Sequence, residues 1–389
     1  MAGAPRKPPE RGGEIPALTG LRGFAALWVL VFHTWGAAGP RRMELAFGGW
    51  TLDFTPFFSI GWAGVQVFFV LSGFLLAQPY VRWLSGAAVR PGVGSYLARR
   101  GARVLPGYYL QLSILVAFAW FLDGRQVIAG MGDLLGYAGM LFVPEPLGVR
   151  PLNGVWWTLP IEFSFYLVLP LLAGLLRGWR VAALLLLGIG TMMAWRWLTI
   201  VLLATDPPGA RFLLGYQLPG ALDSFALGMA AGVLSQQAGF SRWLGAGSWR
   251  RELLALAGVA LGLVLLYWVH HGYRAYWTAA PITFLWTPLF CLATAAVILA
   301  ATAGSRPLLW LFANRLALYL GTVSYGIYLW HYPLLGWLAA AVPAREGYAL
   351  PWLLPVCTVL TVAVAALSWH WVEQPVIARV RRALARPAG

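Results

Sequence analysis

The feature that most limits how this chain can fold is a series of ten apolar segments, each about as long as a membrane-spanning helix. A helix needs about 20 mostly apolar residues to cross the hydrocarbon core of a bilayer. Inside lipid, backbone polar groups must be satisfied within the protein, which favours helices. The sequence therefore predicts an all-α polytopic membrane protein. The ten segments lie near residues 18–37, 58–78, 104–122, 155–176, 181–203, 214–236, 252–270, 281–303, 318–341 and 350–372.

The composition excludes a soluble globular domain. Of the 389 residues, 60% are hydrophobic and only 11% are charged, and the mean hydropathy is +0.71. An average soluble domain has about 25% charged residues. Cys291 and Cys357 lie in apolar runs and are interpreted as small buried hydrophobes. The stretch 126–143 is apolar but carries Asp133, so we expect it to lie at the interface or to re-enter the membrane.

The basic residues indicate how the chain is oriented. The formal net charge is +15, and every Lys or Arg position except Lys7 is arginine. The arginines lie in short tracts between apolar runs, which is typical of membrane topology and not of a nucleic-acid-binding face. With a cytoplasmic N-terminus, 19 Lys and Arg residues fall in cytoplasmic segments and 7 in the opposite ones. We therefore expect both termini in the cytoplasm.

This orientation predicts three regions. Residues 1–17 form a cytoplasmic N-terminal tail, 18–372 the membrane domain, and 373–389 a basic cytoplasmic C-terminal tail. We expect the arginines of the last region to anchor it at the anionic leaflet. They are Arg379, Arg381, Arg382 and Arg386. The N-terminal run has a second interpretation, a secretory signal with Arg22 ahead of the apolar run and small residues at 37–39.

Arg22 and His33 are ionisable residues inside the first span, where charge is costly and suggests function. They are eleven residues apart, so they share one helix face and are separated by about 16 Å along the axis. Together they can line one channel. A guanidinium suits a phosphate or carboxylate, and an imidazole suits proton transfer. The alternative is a snorkelling arginine and a hydrogen-bonded core histidine.

Two further sites follow along the chain. Ser72 and Gly73 lie in an aromatic-rich run, where they supply either a hydroxyl to the site or a small surface for helix packing. Arg100 and Arg103 are neighbours on the helix that starts the third span from the cytoplasm. They can bind a polyphosphate, or they only set the orientation of the span.

Glu162 lies about seven residues into the fourth span from the outer side, at a depth that we expect to match that of His33. A carboxylate bonded to one imidazole nitrogen would orient the ring and raise its basicity. The main alternative is an ion pair between Glu162 and Arg196. Asp223 offers Arg196 another partner.

Ser324, Tyr328 and His331 share one face of the ninth span, because their spacing is i, i+4, i+7. They can stabilise an oxyanion or position a substrate. The alternative for His331 is a satisfied core histidine. We find no metal-ligand pair at i, i+4, no phosphate-binding loop and no dinucleotide fingerprint. We therefore expect neither a metal site nor a permanently bound cofactor.

Together these segments resemble acyltransferase family 3, the integral-membrane O-acyltransferases that modify O-antigens, peptidoglycan, exopolysaccharides and some macrolides. Each motif is weak alone in apolar sequence, but five of them in the family's order are specific. Pro160 and Phe163-Ser164 depart from the polar residues that more often flank the motif glutamate. The motifs are Arg-x10-His at Arg22 and His33, Phe-Phe-x-x-Ser-Gly-Phe ending at Phe74, Arg-x-x-Arg-x-x-Pro from Arg100 to Pro106, Trp-x-Leu-x-x-Glu-x-x-Phe-Tyr from Trp157 to Tyr166, and Ser-Tyr-x-x-Tyr-Leu-Trp-His-x-Pro from Ser324 to Pro333.

The resemblance implies an acyl-CoA donor, usually acetyl-CoA, that enters from the cytoplasm, and an essential histidine at His33. The hypothesis has Arg22, Arg100 and Arg103 holding the CoA phosphates, with His33 as general base and Glu162 orienting it. The hydroxyl of a carbohydrate or glycosylated acceptor attacks the thioester. Ser324, Tyr328 or His331 would stabilise the oxyanion or position the acceptor.

Several alternatives stay open at this point. A covalent acyl-enzyme on His33 or Ser72 would also transfer the group. A secondary transporter or flippase would also place charges inside the membrane. The chain ends soon after its tenth span, so we expect it to complete transfer without the extracellular domain that some relatives carry. The expected location is the bacterial cytoplasmic (inner) membrane, and the sequence does not indicate the acceptor, the acyl length or the oligomeric state.

Overall fold

A computed structural model describes residues 15–122, 124–143, 148–204, 208–245, 248–341 and 350–385. Most of the predicted N-terminal tail and Arg386 therefore lie outside the described residues. Within them the chain forms eighteen α-helices and one β-hairpin. The helices are α1 Pro16–Ala37, α2 Thr55–Ser59, α3 Gly64–Leu84, α4 Val93–Phe121, α5 Met131–Ala138, α6 Thr158–Leu172, α7 Arg180–Leu202, α8 Pro208–Gly215, α9 Leu218–Gln236, α10 Ala238–Gly245, α11 Ser248–His271, α12 Tyr273–Tyr276, α13 Pro281–Thr302, α14 Arg306–Phe312, α15 Arg315–Thr322, α16 Ser324–Ala341, α17 Leu350–Ser368 and α18 Gln374–Ala385.

The all-α polytopic fold is confirmed. Nine helical segments of the described chain are long and apolar enough to cross a membrane. Large apolar side chains on them point away from the protein, such as Leu171 and Leu186, which are 82% and 76% exposed. Such a surface suits lipid and not water. The nine segments are α1, α3 with the short turn before it, α4, α6 with the turn after it, α7, α9, most of α11, α13 and Leu350–Ala385, which contains α17.

The predicted span 318–341 is interrupted, and it is not among the nine. Helix α15 ends at Thr322, and α16 begins at Ser324, whose hydroxyl donates to the carbonyl of Gly321 at 2.9 Å. The break occurs where α15 packs on α1, since a Cβ at Gly321 would lie 1.9 Å from the carbonyl oxygen of Thr19. Helix α16 has 18 residues and carries Tyr328 and His331, and it does not meet the length and hydropathy of the nine segments.

The stretch 126–143 contains only α5 as an α-helix, and its eight residues are too short to cross a bilayer. Between α1 and α2 the antiparallel hairpin β1 Glu44–Phe47 and β2 Trp50–Asp53 pairs Leu45 with Leu52. Its tight turn contains Gly48 and Gly49 at positive φ, which glycine adopts without strain.

The predicted boundary between membrane domain and C-terminal tail falls inside a continuous helical segment. After α17 the backbone makes a π-helical turn over Trp369–Glu373 and continues as α18. Helix α18 packs against α4. The segment expected to lie on the lipid leaflet therefore also contacts the protein, and its attachment to lipid stays a prediction.

Helices α3 and α9 cross at glycines, which brings their backbones into contact. A Cβ at Gly73 would lie 2.3 Å from the carbonyl oxygen of Phe225, and one at Gly228 would lie 2.1 Å from that of Val70. No side chain fits at either distance, so only glycine permits this crossing. Gly73 thus serves helix packing, whereas the hydroxyl of its neighbour Ser72 bonds to Glu162.

Candidate active site

A cavity of about 590 Å³ opens at the end of the bundle where α1 and α4 begin. Parts of α1, α3, α4, α6, α15, α16 and α18 line it, together with the π-helical turn. Glu162 is its one carboxylate. Arginines outnumber carboxylates in the described lining, and this excess of positive charge favours an anionic ligand with several charges. The six arginines of the lining are Arg22, Arg99, Arg100, Arg103, Arg381 and Arg382.

Arg22 reaches the cavity because glycines hold α1 close to its neighbours. A Cβ at Gly20 would lie 1.9 Å from the carbonyl oxygen of Phe312, and one at Gly23 would lie 2.7 Å from the amide nitrogen of Gly321. That packing fixes the rotation of α1 about its axis. The guanidinium of Arg22 makes no hydrogen bond to another described residue, so its donors remain available to a ligand.

Arg100 and Arg103 lie on the first turns of α4 and meet the same cavity. The guanidinium of Arg103 donates to the carbonyl of Thr322 at 3.3 Å and lies 4.8 Å from the ring centroid of Trp369. The buried Nε of Arg100 has no hydrogen-bond partner among the described residues. The structure thus brings Arg22, Arg100 and Arg103 together, as the sequence hypothesis requires.

Glu162 lines this cavity and does not contact His33. Its Oε1 accepts hydrogen bonds from the hydroxyl of Ser72 at 3.2 Å and that of Tyr166 at 2.5 Å. The expected pairing with His33 is not formed among the described hydrogen bonds, and neither is the alternative ion pair with Arg196. The reason is that residues 152–157 fold into the bundle, where Trp156 is fully buried, so α6 starts deep inside the protein.

His33 is paired with His331 instead. The Nδ1 of His33 lies 3.1 Å from the Nε2 of His331 and 3.0 Å from the carbonyl oxygen of Val29. The Nδ1 of His331 lies 3.1 Å from the carbonyl oxygen of Ile327. His331 is fully buried, whereas His33 is half-buried.

These contacts assign the tautomers of both neutral rings. A carbonyl oxygen only accepts, so Nδ1 of His331 carries its hydrogen and Nε2 carries none. Nδ1 of His33 then donates to Val29 and to His331. The Nε2 of His33 is left with a lone pair and no hydrogen, which is the state that a general base requires.

The segment around His331 is held by a carbonyl that proline leaves free. Pro333 has no N–H, so the carbonyl of Leu329 lacks its usual partner four residues on. It accepts from the side-chain amides of Gln111 at 2.8 Å and Asn153 at 2.9 Å. The Oε1 of Gln111 accepts in turn from Asn153 and from the indole N–H of Trp156. This network was not predicted from the sequence, although a proline inside a helix indicates a free carbonyl four residues earlier, here that of Leu329.

Tyr328 and Ser324 do not contact the imidazole pair through hydrogen bonds. The hydroxyl of Tyr328 donates to the carbonyl of Val155 at 2.9 Å and accepts from Thr158 at 3.0 Å. The ring of Tyr328 packs edge-on against Phe68 with centroids 6.1 Å apart. On α16, Tyr328 lies one turn beyond the cavity residue Tyr325. On α3, Phe68 likewise lies one turn from Ser72.

Along α16, Tyr328 lies between the cavity residue Tyr325 and His331, and its ring packs against Phe68. The cavity lining includes Arg22 but neither His33 nor His331. This cavity reaches Arg22 and not His33, so a channel lined by both residues stays a prediction.

Arg196 belongs to a second polar cluster. Its guanidinium donates to the carbonyl of Thr283 at 2.8 Å and to the hydroxyl of Tyr276 at 3.3 Å. Asp223 is fully buried nearby and interacts with it electrostatically. Of the two acidic partners considered for Arg196, the structure therefore places Asp223, and not Glu162, beside it. No three His, Cys, Asp or Glu side chains converge on a metal position in the described part of the chain.

The fold and the site together define a polytopic membrane protein with a cationic cavity at one end and a pair of imidazoles beyond it. The sequence model described as an acyltransferase domain matches residues 15–370, and the chain belongs to this family, acyltransferase family 3. It is an acyl-transferring enzyme embedded in a membrane. No solved structure matches the chain.

Individual relatives agree with the family assignment. The chain is 27% identical to nodulation protein 10 of Rhizobium leguminosarum bv. viciae, with 91% of each chain covered. It is 28% identical to the acyltransferase MdmB of Streptomyces mycarofaciens, over 92% of this chain and 89% of that one. It is 26% identical to the putative peptidoglycan O-acetyltransferase YrhL of Bacillus subtilis, over 96% of this chain but only 56% of that protein.

Proposed function

We propose that this enzyme transfers an acyl group, most often acetyl, from acyl-CoA to a hydroxyl group of a carbohydrate or glycosylated acceptor. The observation that carries the proposal is the arginine-lined cavity, which ends about two helical turns short of the His33–His331 pair. Similarity to proteins named as peptidoglycan O-acetyltransferases and to an exopolysaccharide production protein supports the acceptor class.

The cavity is the donor site in this proposal. The distribution of arginines favours a cytoplasmic position for the start of α1, in the bacterial inner membrane, where acyl-CoA is present on that side. Arg22, Arg100 and Arg103 bind the phosphates of the coenzyme, since Arg22 and the Nε of Arg100 have no hydrogen-bond partner within the described part of the chain. The pantetheine arm then extends along α1 towards His33.

The thioester reaches His33 when Phe68 and Tyr328 move aside. Tyr328 is held by Val155 and Thr158, so Phe68 is the freer of the two rings. Rotation of Phe68 joins the cavity to the imidazole pair and needs no movement of a helix. The barrier also keeps water in the cavity away from the base before the donor arrives.

The chemistry at His33 follows from its tautomer. The unprotonated Nε2 accepts the proton of the acceptor hydroxyl while the oxygen attacks the thioester carbonyl. The carbon–sulfur bond breaks, and the departing thiolate takes the proton from Nε2, so the enzyme returns to its initial state. His331 is a positioning residue, because its Nε2 and the Val29 carbonyl hold the hydrogen of His33 on Nδ1.

Glu162 serves the donor cavity rather than the base. Its hydrogen bonds fix Ser72 and Tyr166 at the inner end of the cavity, near Arg22. It also offsets part of the arginine charge there. Ser324 and Tyr328 have structural roles, because their hydroxyl hydrogens are used in bonds to backbone carbonyls.

The test compares a deletion strain with strains that express the wild-type protein, His33→Ala or His271→Ala. His271 is the matched control, since it is an exposed histidine bonded only to the carbonyl of Tyr267 within its own helix. Mass spectrometry of glycans and small metabolites measures the product. We expect wild type and His271→Ala to restore one acetyl unit on one product. Full restoration by His33→Ala at matched expression would overturn the role of His33, and accumulation of an unmodified substrate across the membrane would favour transport.

A further inference from the structure

We infer that the C-terminal segment 369–382 is part of the donor site and that Arg381 and Arg382 bind the phosphates of acyl-CoA. This inference rests on the proposed function and deepens it. The sequence pattern alone indicated a tail attached to anionic lipid. Helix α18 instead lines the arginine cavity, opposite Arg22 and Arg100.

One face of α18 is turned to the cavity. The lining residues Gln374, Ile377, Ala378 and Arg381 are spaced i, i+3, i+4, i+7, and Arg382 follows on the same side. Arg379 lies on the other side of the helix and does not line the cavity. The helix thus separates its arginines into two kinds, two that face the space where an anion would lie and one that faces away.

A buried contact fixes the angle at which α18 leaves α17. Glu373 is only 1% exposed, accepts a hydrogen bond from Ser368 at 3.0 Å and lies 4.0 Å from the guanidinium of Arg103. The π-helical turn that contains Glu373 also places Trp369 over Arg103. Gly107 leaves room for this contact, because a Cβ there would lie 2.8 Å from the ring of Tyr325 and 3.4 Å from the Glu373 carboxylate.

The contact links the two halves of the cationic surface. Arg103 belongs to the donor cavity on α4, and the same side chain holds the turn that aims α18. A flexible tail would spread its arginines over the lipid surface, whereas this turn keeps Arg381 and Arg382 beside Arg99, Arg100 and Arg103. Such a cluster suits the phosphates of a nucleotide coenzyme better than a single lipid phosphate.

The experiment measures CoA binding by calorimetry to the purified full chain in nanodiscs of zwitterionic lipid. The variants are the double substitution Arg381→Gln/Arg382→Gln, the conservative Arg381→Lys/Arg382→Lys, and Arg379→Gln as the matched control. Pantetheine, which has the same arm without phosphates, is the second ligand. A thermal unfolding scan of each variant checks that it is folded.

We expect the double glutamine variant to bind CoA about tenfold more weakly or worse, because it loses charge-assisted hydrogen bonds to phosphate. The lysine variant should recover part of the affinity, and Arg379→Gln should bind like wild type. Pantetheine binding should be the same in all four proteins, since the change affects only phosphate contacts.

Two results would overturn the inference in different ways. If wild type binds CoA and the double glutamine variant binds it equally well, the C-terminal segment is not part of the donor site, and the proposed function stands. If wild type does not bind CoA, the proposed donor fails as well. Repeating the CoA titration in nanodiscs with anionic lipid tests lipid phosphate as the ligand of Arg381 and Arg382. If these arginines bind lipid and not CoA, wild type and the double glutamine variant should bind CoA equally well in both kinds of nanodisc.

Discussion

Replacing Gln111 by leucine tests how much the buried hydrogen bonds of Gln111, near the carbonyl freed by Pro333, contribute to the free energy of unfolding. Gln111 is fully buried and joins three partners, the Leu329 carbonyl, Asn153 and the indole N–H of Trp156. In Gln111→Leu the carbonyl keeps its bond from Asn153, but the indole N–H of Trp156 loses its acceptor. Trp156 is fully buried, so water cannot replace the lost bond.

The magnitude follows from that one orphaned donor. A buried polar group without a partner costs about 1–3 kcal/mol, whereas an interhelical hydrogen bond between paired groups in a membrane averages about 0.6 kcal/mol. We therefore expect the free energy of unfolding to fall by about 1–3 kcal/mol in Gln111→Leu. Gln126→Leu is the control, since Gln126 is exposed and bonds only to the nearby carbonyl of Ile128, and its effect should stay within about 0.5 kcal/mol.

The assay is equilibrium unfolding in mixed micelles, followed by acetyl transfer in membranes. A double-mutant cycle with Trp156→Phe isolates the cause, because the phenylalanine has no donor to leave unsatisfied. In the Trp156→Phe background, Gln111→Leu should lower the free energy of unfolding by clearly less than it does in the wild-type background. If the loss of unfolding free energy is the same in both backgrounds, or no larger than for Gln126→Leu, the hydrogen bond from Trp156 to Gln111 does not stabilise the fold.

Two further predictions concern packing and the base. Gly228→Ala would place a Cβ 2.1 Å from the Val70 carbonyl oxygen, so we expect about 1–3 kcal/mol of destabilisation in the same unfolding assay, while Gly190→Ala, where nothing lies within 4 Å, should be near neutral or slightly stabilising. Equal effects of the two substitutions would contradict the backbone contact between α3 and α9. His331→Phe removes the acceptor for the His33 hydrogen, so turnover should fall about 10²-fold while Kd for CoA stays unchanged, since the cavity does not include His331. Loss of CoA affinity in steady-state and binding measurements would show that His331 acts through the fold instead.

The sequence was sufficient for the architecture because the dominant physical constraint is local. Each span needs only its own apolar residues, so the helices appear where hydropathy places them. The shared face of Arg22 and His33 also follows from one helix, since their spacing fixes their rotation. The polar residues of α16 lowered its hydropathy, and the break after Thr322 depends on the approach of Thr19, which is remote in sequence.

The site was less predictable because depth in the membrane depends on distant packing. Counting residues from the expected start of a span placed Glu162 level with His33. The buried loop around Trp156 shifts α6, so that Glu162 meets Ser72 instead. An amphipathic basic helix such as α18 fits both a lipid surface and a protein surface by its pattern alone. The contact of Glu373 with Arg103 places the start of α18 against the protein, which the sequence pattern does not indicate.

One hydrogen, carried by Nδ1 of His33, lies between the two imidazoles, and no carboxylate bonds to either ring in the described part of the chain. When Nε2 of His33 gains a proton, the extra charge spreads over two neutral heterocycles and is offset by backbone dipoles alone. A triad with an acidic member would retain that charge, whereas this pair holds it poorly in a medium of low polarity. With His33 as the base of the proposed reaction, we therefore expect a short-lived imidazolium whose proton returns promptly to the departing sulfur.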